Sequence, residues 1–123
     1  MKRLIGFLIA FLIISSIAAA HTVTLTWSPS TDGAANPTSG YNVQRGTTSG
    51  GEGSANINAS PVAAGCTSTT NCTYTDSSSA VVAGATLYYT VTFQVGAVTS
   101  KPSNEASAGV PVAPPSGVTA TPN

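Results

Sequence analysis

Few side chains in this chain could do chemistry, and their spacing limits what each can do. His21 is the only histidine, and it follows Ala18, Ala19 and Ala20 directly. Cleavage after Ala20 would make it the N-terminal residue, whose amine and ring nitrogen can together grip copper. A catalytic copper site needs a second histidine, and there is none. Acid/base hydrolysis needs two carboxylates across a cleft, whereas Asp32, Glu52, Asp76 and Glu105 are expected to scatter among loops and a strand end. No nucleophile-turn motif surrounds any serine. Gly50, Gly51 and Gly53 lack the lysine and following helix of a phosphate loop. We therefore expect no catalytic, cofactor or metal site and no enzymatic activity.

Cys66 and Cys72 enclose the five residues Thr67 to Asn71 in a polar stretch. In an exported chain a local disulfide is the natural expectation, one that shapes the loop more than it holds the fold. Asn58-Ala59-Ser60 and Asn71-Cys72-Thr73 spell glycosylation acceptors, a pattern common by chance.

The elements that must position these residues begin after residue 20. Lys2 and Arg3, the apolar run Leu4 to Ile14 and the small residues before His21 read as an export signal over residues 1–20. The expected location is secreted or extracellular, with the periplasm as the alternative, and no membrane association after the signal is removed. The remaining chain carries Arg45 and Lys101 against Asp32, Glu52, Asp76 and Glu105, two positive against four negative. That balance excludes the basic stripe that nucleic acid or an anionic membrane surface requires. Short alternating stretches rich in Thr, Ser, Val and Tyr, broken by turn residues, predict an all-β antiparallel sandwich. In Thr22 to Trp27, Val23, Leu25 and Trp27 share one face. Tyr41 and Val43 do so in the next strand, with Asn42 and Gln44 opposite, and Ile57 marks a weak candidate. Cys72 to Thr75 form a brief strand centred on Tyr74, and after the turn at Gly96 a return strand begins at Val98 and is completed by Asn104 to Val110. Leu87, Tyr89, Val91 and Phe93 form the inward face of the longest one. These residues are the expected core, and Tyr88 sits on the outward phase, where it could stack on a sugar or a partner.

Taken in order, VTLTWSPS, GYNVQRGTTSGG, AGATLYYTVTF and KPSNEASAGVP resemble bacterial fibronectin type III modules over about residues 22 to 111. The resemblance implies that Trp27 fills the core from the second strand, that Gly40 to Arg45 belong to the third, and that the tyrosine-rich segment is the sixth. Where the family usually places a tyrosine that ties down the sheet corner, this chain has Leu87. The family's first strand is expected to have no counterpart, since only His21 and Thr22 precede Val23 after the expected cleavage.

Beyond the expected domain, residues 21–111, the Pro-rich tail 112–123 (VAPPSGVTATPN) resembles the opening strand of a further module. Val118 and Ala120 alternate with Thr119 and Thr121, as in an edge strand, which raises strand donation to the empty edge of another copy; the alternative is a loose terminal tail or the stub of a longer chain of modules. Folding back is harder, because Pro111 to Ser116 reach at most about 20 Å and a strand of eight or nine residues is about 27 to 30 Å long. The expected function is a non-catalytic secreted binding or adhesion module for a protein or carbohydrate ligand, with the loops Gly33 to Ser39 and Gly46 to Asn56 as the contact surface. The alternatives are a structural subunit that self-associates head to tail and an accessory module of a polysaccharide-degrading system.

Overall fold

The computed structural model describes residues 20–32, 39–63, 66 and 71–123. Residues 1–19 of the signal-like segment and residues 33–38 of the expected contact loop Gly33 to Ser39 lie outside them. Within the described residues every regular element is a strand: β1 Val23–Trp27, β2 Gly40–Gly46, β3 Val62–Ala63, β4 Cys72–Asp76, β5 Thr86–Val95, β6 Val98–Thr99 and β7 Ala106–Gly109. β1 and β4 form a two-stranded antiparallel sheet, and the second, five-stranded sheet runs β3-β2-β5-β6 with β7 also pairing β5. The two sheets share a core, as in a β-sandwich.

The alternation in the sequence explains which faces meet. From the small sheet, Val23, Leu25, Trp27 and Tyr74 pack against Val43, Leu87 and Tyr89 of the large one, with Val81 and Val110 closing the same cluster. The second cluster holds Tyr41, Phe93 and Cys72, with Trp27 and Val91 against it. Its aromatic stack places Tyr41 5.6 Å from Trp27, edge on, and 4.9 Å from Phe93 between ring centroids. The register Tyr41↔Phe93, Val43↔Val91, Arg45↔Tyr89 brings the inward residues of β2 and β5 onto one face. Leu87 and Tyr89 are buried while Tyr88 is half-buried, so the strand keeps the expected phase. Gly96, at φ 56°, makes the turn that sends β5 into β6.

Several expectations need correction. Asn42 and Gln44 are buried rather than solvated, because a polar cover lies over them. Asn42 Nδ2 donates to Gln94 Oε1 at 2.8 Å, and Gln44 Nε2 donates to Asn56 Oδ1 at 2.7 Å and Thr92 Oγ1 at 3.1 Å. The Ile57 region forms only an isolated bridge, Gln44↔Asn56. Beside it Asn58 acts as a substitute strand: its Oδ1 accepts the Val43 N–H at 2.8 Å and its Nδ2 donates to the Tyr41 carbonyl at 3.1 Å. Cys66 and Cys72 are joined, with Cα atoms 5.1 Å apart. Cys72 nevertheless opens β4 opposite Trp27 and is 1% exposed, so the disulfide pins its loop to the aromatic core. Asp76, expected in a turn, is the buried last residue of β4.

Candidate functional site

β1 is the strand around which a site can be built. It hydrogen-bonds to β4 on one side, in the register Val23↔Asp76 to Trp27↔Cys72, and β4 is its only sheet neighbour among the described residues. A strand points half its N–H and C=O groups to each side, so the other edge of β1 offers a row of backbone donors and acceptors to an incoming chain. The outer side of β4 is approached instead by β3. Across the gap stands β7, paired only with β5. Both sheets are thus open on the same flank.

Two troughs run along this flank. The lower, about 250 Å³, is lined by Val23 to Thr26, by Tyr89, and by Ala106, Ser107 and Ala108 of β7. The upper, about 450 Å³, continues past Thr26 and Trp27 to Tyr41, Val91 and Phe93, with Ser100, Lys101, Ser103 and Asn104 on its far wall. The upper wall is held open by serines that complete β5 without forming a strand. Ser100 Oγ accepts the Phe93 N–H and Ser103 Oγ accepts the Val91 N–H, both at 2.9 Å. Their own N–H groups return to the Phe93 and Val91 carbonyls at 2.8 Å. Trp27, between the troughs, holds its indole N–H buried with no acceptor, the one such donor side chain among the described residues.

The lower end is fixed by charge. Arg45 donates to Asp76 Oδ2 and to Ser78 Oγ, each at 2.6 Å, and the Tyr89 hydroxyl donates to the same Asp76 oxygen at 3.0 Å. Burial alone would raise the Asp76 carboxyl. The hydrogen bonds from Arg45, from the hydroxyl and N–H of Ser78 and from Tyr89 outweigh it and hold the group below the ordinary aspartate value. Burial, then the bond to Asp76, pushes the Tyr89 phenol up. This network sets the tyrosine that floors the lower trough.

The remaining candidates from the sequence distribute as follows. Glu52 and Glu105, expected to be unrelated, meet. The hydrogen bond with Glu105 raises the Glu52 carboxyl, and the Gly50 N–H, followed by Glu52 and the Ser49 hydroxyl, lowers that of Glu105. Glu105 accepts from Ser49 Oγ at 2.9 Å and from the Gly50 N–H at 2.6 Å, which fastens the loop after β2 to the start of β7. The pair thus reads as a loop fastener. His21 is half-buried just before β1, and Asp32 is exposed. Val118 and Ala120 lie in an exposed tail with no assigned strand, Val118 being 84% exposed.

Sequence reasoning placed a return strand over Asn104 to Val110, where β7 lies, but gave it no part in a site. Ala106, Ser107, Ala108 and the serines before them carry no chemical signature, and their smallness was the only signal available. No protein-family model, curated protein or solved structure matches the chain.

Proposed function

We propose that this chain is a non-catalytic, secreted binding module of the fibronectin type III kind, which takes an extended partner segment along the open edge of β1. The carrying observation is that edge, flanked by two troughs and facing the unpaired side of β7. Backbone groups along an edge supply affinity without regard to sequence, and alternate side-chain pockets supply register.

The strand order supports the family reading. Immunoglobulin-like sandwiches pair their second and fifth strands in one sheet and set the third, sixth and seventh in the other. With β1 counted as the second strand, β4 is the fifth, β2 the third, β5 the sixth, and β6 with β7 the seventh. The edge of β1 is then the place of the first strand. The signal-like residues 1–20 and the Cys66–Cys72 disulfide support export to an oxidising compartment.

Hydrogen exchange of the β1 amides tests the reading, measured with and without a panel of extended peptides that alternate apolar and polar residues. Protection confined to Val23–Trp27 and the β7 residues is expected. Protection in the loop Gly46 to Asn56 with β1 unchanged would overturn edge binding and leave loop recognition in its place.

A further inference from the structure

We infer that the segment this edge takes is the C-terminal tail of a second copy of the chain, with Val118 and Ala120 entering the trough and Thr119 and Thr121 facing solvent. The inference rests on the edge-binding reading above and names its occupant.

The faces of the small sheet define what an added strand must look like. Its inner face carries Val23, Leu25 and Trp27, and its outer face carries Thr24 and Thr26 beside Thr73 and Thr75 of β4. Thr24 and Thr75 already bond through their hydroxyls at 3.2 Å. Val118 to Thr121 reads Val-Thr-Ala-Thr, the pattern of β1 itself, Val-Thr-Leu-Thr. Laid beside β1, it extends the threonine ladder on the outer face and sends two small apolar side chains inward. Ala120 and Val118 suit a trough whose opposite wall is Ala106 to Ala108. These four residues contain no proline, so each has an N–H for the ladder, whereas Pro111, Pro114, Pro115 and Pro122 bracket them.

The tail is free to be donated. Every residue from Pro111 to Asn123 is exposed, and Val112 and Val118 are 69% and 84% exposed. Serving its own edge in antiparallel fashion demands a long return path. The chain leaves β7 at Gly109, opposite Thr86, the same end at which β1 begins beside Tyr89 and Ala106. An antiparallel partner of β1 must start near Trp27, level with Phe93, seven rungs or about 23 Å away. The eight residues Val110 to Gly117 that precede Val118 span about 26 to 29 Å only when fully extended, and their path would have to reverse direction twice. A neighbouring copy imposes no such path.

Sedimentation velocity of the full chain, exported and processed by the producing cell, tests this across a concentration series. It is run beside a form ending at Pro111 and the variants Val118→Asp and Thr119→Gln, each checked by circular dichroism. We expect the full chain and Thr119→Gln to grow with concentration, the truncated form to stay monomeric, and Val118→Asp to assemble at least about tenfold more weakly. Equal growth with the tail deleted, or a monomeric full chain, overturns the inference. So does a monomer whose β1 and tail amides are both protected, because its tail fills its own edge. A peptide of residues 112–123 is also titrated onto the truncated form. If it fails while other alternating peptides protect β1, the occupant is wrong and the edge reading stands. If none protects β1, both fall.

Discussion

Asp76 and Arg45 show how unevenly a single ion pair responds to the loss of either partner. The Asp76 side chain is 2% exposed and that of Arg45 19%. Arg45→Met leaves a buried carboxylate without a counter-charge and is expected to cost about 3 kcal/mol. Asp76→Asn leaves a guanidinium that can turn to water and an amide that still accepts from Tyr89 and Ser78, for about 1 to 2 kcal/mol. Urea denaturation of the two variants checks the order. The same carboxyl sets an acid limit. Because its folded value is depressed, the native state binds fewer protons than the unfolded chain below about pH 4. Its contribution is complete above that pH and is lost as pH falls through the folded value. Glu52, raised, and Glu105, lowered, contribute with opposite sign. The acid slope should therefore flatten in Asp76→Asn, as measured by chemical denaturation between about pH 2 and 5.

At the scale of elements, the disulfide separates two effects that a sequence cannot. Closing six residues of separation restrains the unfolded chain by about 2 kcal/mol. Replacing both cysteines by alanine also removes a buried sulfur from between Trp27, Tyr41 and Phe93, for a total of about 2 to 4 kcal/mol. Reduction alone should give the smaller loss and alanine replacement the larger, read from the same unfolding curves. The sequence opened a brief strand at Cys72, as β4 does, but its polar neighbours Asn71 and Thr73 gave no sign of how deeply the sulfur is buried. Its inward phase shows only once Trp27 is set opposite. The alternation of β1 and β5 was legible, since both strands bury one face. β2 was half legible: Tyr41 and Val43 point as expected, but the cover over Asn42 and Gln44 is made of Asn56, Thr92 and Gln94, which follow no apolar period. Val81 fills the core from a turn, where periodicity has no meaning. The open edge of β1 shows only in the strand order, and β7, its facing wall, is built of residues too small to announce a site.

For the whole molecule, tail-to-edge donation is a heterologous contact, so it builds chains with unequal ends. A copy truncated at Pro111 keeps the receiving edge but has nothing to give, and adding it in excess should shorten assemblies in proportion, as seen by light scattering. The position of the domain's ends has a mechanical side as well. Val23 and Gly109 lie at the same end of the sandwich, beside Asp76 and Thr86. Tension between these two points peels β1 from β4 and β7 from β5 one rung after another. Between Ser28 and Val110 it would instead run along the strands and load whole ladders at once. A single module held in optical tweezers should therefore open at a lower force from the first pair of handles than from the second.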